Sequence, residues 1–552
     1  MTAPRMSRRA TLACLALTSI VGVRPGLARA STEPVVETHL GKVRGRRVNG
    51  VYAFKGIRYA ASTADANRFM PPQPAQPWAG IMDAFEFGAS APQSNSNPPP
   101  PGTPSRVILS QLPRVPGAPQ HLRPPESEDC LFLNVWTAGL NDGRRRPVMF
   151  WLHGGFFSSG SGSTVDGTNL ARRGDVVVVS VNHRLNVFGY LHLAEHGGAE
   201  FAQSGNVGML DIVAALEWVR DNIAAFGGDP SRVMVFGESG GGMKTSFLMA
   251  APAAKGLLHR AAVQSGPGLR MMERAQATRA TEALLQELNL EAKQVRDLQK
   301  IPLPQLLAAC FAVKARYPDK NFTDLETFAP VVDGAVLPRH PFDPDAPALS
   351  ADVPLLIGWN QHEMTFFMGD DPEGFSLDDA GLHRRASDLL GARGAQAVEL
   401  YRRRHPGATP SDLYIQMWSD FSIMTATLRQ AERKVLQGGA PAFVYRFDWQ
   451  SPALGGKLKS LHTVENAFVW NDTENSPLVA GAGAEVRRLA EQVSEAWVTF
   501  ATTGVPSGGL GKWPGYELQA RPTMRINTTS RIESDPTCEE RNFLDRWLVP
   551  AE

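Results

Sequence analysis

Cysteine is scarce in this chain, with four in 552 residues. A chain of that length buries enough apolar surface to fold without staples, so a disulfide-built scaffold is excluded. Neither charge sign is in surplus. Lys and Arg total 56 against 55 Asp and Glu, which excludes a nucleic-acid binder working by bulk positive charge. No apolar run reaches 18 residues, the length a membrane-spanning helix requires. Gly 51 and Pro 42 are too few for a collagen or a largely disordered chain. What is left is a large, near-neutral globular protein, 43% hydrophobic and 20% charged. Its length alone suggests several domains.

The first thirty residues read as an address. Arg5, Arg8, Arg9, Arg24 and Arg29 stand there with no acid. The apolar run Ala10 to Val23 is too short to span a bilayer, and Ala28-Arg29-Ala30 offers a small-residue cleavage site. Ser7-Arg8-Arg9-Ala10-Thr11-Leu12 also fits a twin-arginine signal; an ordinary Sec signal with two adjacent arginines is the other reading. The expectation is a signal peptide over 1–30 and an exported mature chain, periplasmic or secreted. Removing those five arginines turns a net charge of +1 into −4.

Beyond the signal, apolar runs alternate with helical periods. Pro147 to Leu152, Val176 to Val179, Val233 to Phe236, His259 to Val263, Pro354 to Ile357 and Phe443 to Phe447 suit strands buried on both faces. Ile212 to Ile223 and Lys244 to Ala250 suit helices. Val486, Leu489, Val493, Trp497 and Phe500 mark a late helix that Gly504 should stop. This alternation predicts an α/β fold with a largely parallel, doubly wound sheet. Asn97 to Glu126 carries Pro98 to Pro101 and further prolines, and reads as a surface excursion.

The chemistry concentrates at Gly237-Glu238-Ser239-Gly240-Gly241, between the strand Val233–Phe236 and a helix. In that context G-x-S-x-G forms a sharp turn that lifts the serine hydroxyl off the sheet, with the helix N-terminus facing developing negative charge. Trp151-Leu152-His153-Gly154-Gly155-Phe156-Phe157 follows another buried strand, and a Gly-rich loop there can supply amides to an oxyanion. Three other patterns are set aside. His192-Leu193-Ala194-Glu195-His196 resembles a zinc motif but precedes Gly197-Gly198, which argues against a long helix. His362-Glu363 lacks the second histidine of H-E-x-x-H, having Phe366 there. Gly160-Ser161-Gly162 lacks the third glycine of a dinucleotide fingerprint.

Taken together, the mature chain resembles the type-B carboxylesterases, α/β-hydrolases that include cholinesterases and para-nitrobenzyl esterases. The resemblance runs from Phe54-Lys55-Gly56-Ile57-Arg58-Tyr59-Ala60 through Glu128-Asp129-Cys130-Leu131-Phe132-Leu133-Asn134-Val135-Trp136 and Asn182-His183-Arg184-Leu185. It continues through Phe226-Gly227-Gly228-Asp229-Pro230 and the serine motif to Trp513-Pro514. It implies one α/β-hydrolase domain over 31–552 and a Ser-Glu-His triad. Ser239 is the implied nucleophile. Glu363 is the acid, from Gly358-Trp359-Asn360-Gln361-His362-Glu363. His462 is the base, from His462-Thr463-Val464-Glu465-Asn466-Ala467-Phe468-Val469. The amides of Gly155, Phe156 and Gly240 would hold the oxyanion. Glu465 and Ser265 stand at supporting positions.

The resemblance implies hydrolysis of small carboxylic esters through an acyl-enzyme, with no metal or organic cofactor, no nucleic-acid partner and no integral membrane segment. It leaves oligomeric state open. It also leaves open a bulky specialised ester, an amide, a lipid, or a non-catalytic binding module on the same fold. Phe157, Phe366 and Phe367 are candidate pocket walls. The chain departs from the family at three places. Phe156 replaces the usual third glycine, Gly240 replaces the usual alanine after the serine, and Cys130 has no upstream partner in the mature chain. A pairing of Cys310 with Cys538 stays open, and three cysteines leave at least one unpaired.

Overall fold

Valine, isoleucine and aromatic residues dominate the strands, because branched and flat side chains fill a pleated surface covered on both faces. A computed structural model describes residues 33–93, 124–317, 324–371 and 373–545. The expected signal segment 1–30 lies outside the described residues, as does most of the Pro-rich stretch 97–126. From Pro34 onward the described residues group as one compact unit.

A small sheet joins β1 (Val35–Thr38), β2 (Gly41–Arg44) and β5 (Ile81–Asp83). The main sheet has eleven strands. In chain order they are β3 (Arg46–Val48), β4 (Val51–Arg58), β6 (Phe132–Thr137), β7 (Arg146–Leu152), β8 (Val177–Val181) and β9 (Gly228–Glu238). Then follow β10 (Arg260–Gln264), β11 (Leu355–Asn360), β12 (Ala442–Phe447), β13 (Pro522–Ile526) and β14 (Arg531–Ser534). Their spatial order is β14-β13-β12-β11-β10-β9-β7-β8-β6-β4-β3. Every pairing from β13 to β8 is parallel, and antiparallel pairs close both edges. This is the α/β-hydrolase arrangement, a large and mostly parallel sheet between helices. The expected strands are all present, each within a few residues of its predicted bounds.

Alternate residues of each central strand feed two cores. Val148, Phe150 and Leu152 of β7 join one cluster, Met149 and Trp151 the other. Likewise Val233 and Val235 of β9 face one side, Met234 and Phe236 the opposite side. The period of two explains why these strands read as continuous apolar runs: both faces are dry. The helix Val207–Asn222 packs over one face with Ile212, Ala215, Leu216 and Val219 buried. Helix Ala484–Thr503 covers the other with Val486, Leu489, Val493, Trp497 and Phe500. It ends as predicted at Gly504, whose φ of 83° is the left-handed stop and whose amide bonds the Phe500 carbonyl at 2.8 Å.

The cysteine pairing left open in the sequence is not made. Cys310 is buried within helix Leu303–Arg316, whereas Cys538 is exposed at the start of Cys538–Leu544, and both are free thiols. Among the described residues no helix is long and apolar enough to cross a membrane.

Phe54 of β4 is fully buried and meets Phe226 edge-to-face, with ring centroids 5.0 Å apart. Phe54→Ala should destabilise the fold by about 3–5 kcal/mol, seen as a lower urea midpoint at unchanged slope.

Candidate active site

Four loops meet at the carboxyl edge of the parallel strands, where α/β sheets gather their sites. They follow β7, β9, β11 and β12. At the end of β9 the chain reverses into helix Gly240–Ala250 through Ser239, whose φ of 58° is left-handed. Such a conformation costs a non-glycine residue about 1–3 kcal/mol and persists where the surroundings over-determine it. Here the Ser239 amide bonds the Gln264 carbonyl at 2.8 Å, and the Ser239 carbonyl accepts the amides of Gly242 at 2.9 Å and Met243 at 3.2 Å. The predicted turn is therefore formed and held from both sides.

Its glycines answer to close approach. A Cβ on Gly241 would collide with the Leu152 carbonyl, and one on Gly240 with the backbone nitrogen, Cα and oxygen of Phe156. The loop after β7 thus lies directly on the start of the helix. Within it Gly155 has φ 81° and Phe156 has φ 51°. Phe156 holds a left-handed backbone, a conformation that suits glycine and carries a steric cost for a side chain with a Cβ. The two departures at 156 and 240 are one contact seen from its two sides.

Glu363 follows β11 and His462 lies on the loop after β12. The His462 Nδ1 stands 2.6 Å from Glu363 Oε2, and the Asn360 amide donates to Glu363 Oε1 at 2.7 Å. A ring whose Nδ1 donates to a carboxylate presents the lone pair of Nε2. That Nε2 is 3.1 Å from Oε1 of Glu238, the residue before the serine. Ser239, Glu363 and His462 are all buried. Gly154 sits over the same spot: a Cβ there would stand 3.0 Å from Glu238 Oε2 and 3.4 Å from Ser239 Cβ. The structure therefore gathers Ser239, Glu363, His462, Gly154, Phe156 and Gly240 into one site.

Burial dominates its electrostatics. It pushes the carboxyls of Glu238 and Glu363 up to about 8 and that of Glu465 to about 7. For Glu363, hydrogen bonds from Ser265 and the Asn360 amide pull the other way. Glu465 accepts from the Asn360 side chain and from Ser265 Oγ at 3.4 Å, so these two residues meet each other beside Glu363. Glu238 was missed as a contact because it fills a position the motif leaves open.

The aromatic candidates divide. The rings of Phe366 and Phe367 lie 5.7 and 5.3 Å from the His462 ring. Phe157 lies edge-on to Tyr190 at 5.2 Å and is 1% exposed, packed within the core. Among the described residues no group of histidines, cysteines and acids is arranged to hold a metal ion. Of the His192–His196 run only Ala194, Glu195 and His196 fall on a helix, the four-residue Ala194–Gly197.

A family-wide sequence profile, described as the Carboxylesterase family, matches residues 32–544. The para-nitrobenzyl esterase of Bacillus subtilis is 36% identical over 520 residues, covering 93% of this chain and 99% of its own. The phenmedipham hydrolase of Pseudarthrobacter oxydans is 32% identical, covering 88% and 93%. A crystal structure of a Geobacillus stearothermophilus carboxylesterase superposes with a TM-score of 0.76 at 35% identity, over 92% of this chain and 99% of that one.

The raised Glu238 carboxyl gives a signed test. Its folded pKa of about 8 exceeds the ordinary 4.5, so the folded state holds a proton that the unfolded state releases between those values. Its stabilising contribution is complete below the lower value and is lost as pH rises through the upper one. Glu238→Gln cannot ionise. Its melting temperature relative to wild type should climb steadily from pH 5 to 8.5, and a constant difference would contradict the assignment.

Proposed function

Because the chain belongs to the carboxylesterase family, we propose that it hydrolyses carboxylic esters through a covalent acyl-enzyme on Ser239, within one catalytic domain over 31–552. The observation that carries this reading is the convergence of four separate loops. The strained serine turn, the Glu363–His462 pair and the Gly154–Phe156 loop meet at one buried point, although nothing in local sequence obliges them to.

The geometry supports the following chemistry. His462 Nε2 takes the proton of Ser239 Oγ as that oxygen attacks the ester carbonyl. Glu363, hydrogen-bonded to Nδ1, fixes the tautomer and stabilises the imidazolium. The carbonyl oxygen becomes an oxyanion held by backbone amides of Gly155, Phe156 and Gly240. When the tetrahedral adduct collapses, the alkoxide leaves with the proton carried by His462. Water then repeats the sequence, breaking the acyl–Oγ bond and releasing the carboxylic acid. Each step uses side chains and amides of this chain.

Three rings bound the substrate side: Phe366 and Phe367 against His462, and Phe156 on the oxyanion loop. This aromatic surround favours an ester with an apolar or aryl group beside the scissile bond, in keeping with a relative named for para-nitrobenzyl esters. The N-terminal segment acts as an export signal cleaved after Ala30.

Ser239→Ala should retain the fold and lose at least ~10³-fold in kcat on a p-nitrophenyl ester. A fluorophosphonate probe should label wild type at Ser239 and leave the variant unlabelled. Near-normal turnover by Ser239→Ala would overturn the triad. Mass spectrometry of protein recovered from the periplasm or medium should find Ser31 at the mature N-terminus.

A further inference from the structure

Helix Gly240–Ala250 is buried along its whole length and is built from glycine, small and apolar residues, with one exception. Lys244 stands five residues after the serine and is 0% exposed. Burying an ammonium is costly unless it is paired and hydrogen-bonded. A methionine would fill the same space at less expense. A lysine kept there has a polar task.

Its contacts define that task. Lys244 Nζ donates to the carbonyl of His153 at 3.0 Å and lies 5.6 Å from the centre of the Phe157 ring. His153 is the residue from which the Gly154–Phe156 loop departs. Its ring is pinned as well. It stacks on His183 at 4.7 Å with planes 4° apart, and its Nδ1 donates to the Gly154 carbonyl at 2.9 Å. Its other side is closed by Gly160, where a Cβ would strike Nδ1. Behind His183, the neighbouring Arg184 is locked to the fully buried Asp211, with Nη2 to Oδ1 at 2.6 Å. The root of the loop is therefore held from the sheet side by stacked neutral rings and from the helix side by one cation.

Electrostatics agrees with the geometry. Burial and the nearby Lys244 push His153 down to about 3, so its ring is neutral, and burial brings Lys244 itself to about 7. The acid closest in effect to Lys244 is Glu238, which favours the charged lysine only when it is itself ionised, and which also meets His462 Nε2. An amine that loses its proton still donates, so the bond to His153 does not depend on the charge.

We propose that Lys244 is a positioning residue for ester hydrolysis: anchored on the His153 carbonyl, it fixes the Gly154–Phe156 loop at the height over Ser239 where the loop amides meet the oxyanion. This rests on the acyl-enzyme reading above. The lysine touches no substrate and acts through the loop. Its effect falls on the tetrahedral state, where sub-ångström placement of donors matters, and spares ground-state binding.

The test compares Lys244→Met and Lys244→Gln with wild type after active-site titration by a fluorophosphonate. Lys244→Met should melt at or above the wild-type temperature. Its kcat per titrated site should fall at least ~10-fold, short of the ~10²–10³-fold cost of deleting a direct oxyanion donor. KM should stay close to wild type. Affinity for an aryl trifluoromethyl ketone, which forms a tetrahedral adduct on the serine, should fall in parallel with kcat, while affinity for the product carboxylate is unchanged. Lys244→Gln retains an N–H donor and should recover part of the loss. Wild-type kcat in Lys244→Met, equal weakening of ketone and carboxylate, or no advantage of Gln over Met would each overturn the proposal. Insolubility of both variants would assign Lys244 to folding and overturn it too. Failure of the probe to label wild type at Ser239 would overturn the acyl-enzyme reading and this proposal with it.

Discussion

Everything in this site depends on a crossing of bare backbone. The loop leaving β7 lies on the first turn of helix Gly240–Ala250 so closely that neither Gly240 nor Gly241 has room for a methyl group. On the opposite side Gly266 lies against the Ser239 carbonyl with the same intolerance. The serine turn is gripped between two strands' exits, and this grip maintains a left-handed serine that would relax if released. Packing of backbone on backbone also explains why a site made of loops can be rigid: each loop leaves a buried parallel strand and is pressed at once against its neighbour.

That closeness sets the electrical problem. Three glutamates and a histidine converge in a buried space, and burial raises each carboxyl above its usual range. Lys244 enters the same balance from below, through Glu238. A low-dielectric setting makes every dipole aimed at the serine count for more, and makes misplaced charge equally expensive. The neutral stacked pair His153 and His183 fits this reasoning, since two imidazolium rings 4.7 Å apart would repel in the dry interior.

Much of this was legible in the chain. The two-sided strands announce themselves as unbroken apolar runs because both faces are covered. Helix Ala484–Thr503 announces itself by its three- and four-residue spacing and its terminal glycine. The serine turn is a local motif between a strand and a helix, and all its determinants lie within five residues. Glu363 and His462 were different. Neither has a local signature that separates it from other acids and histidines, and they were found through resemblance to a family. Phe157 packs edge-on to Tyr190 within the core, a contact 33 residues away along the chain that local sequence does not announce.

The sequence by itself determined the fold class, the serine turn and the departures at Phe156 and Gly240, since these rest on periodicity and short motifs. Tertiary structure alone decided that those two departures touch each other and that Cys310 and Cys538 stay apart. It also decided that Glu238 faces His462 and that Lys244 meets the His153 carbonyl at the start of the loop after β7. The physical reason is distance along the chain. The bond between His462 and Glu363 joins residues 99 apart, and that between Lys244 and His153 residues 91 apart. Local pattern says which residues are buried; only the packed sheet says which buried groups meet.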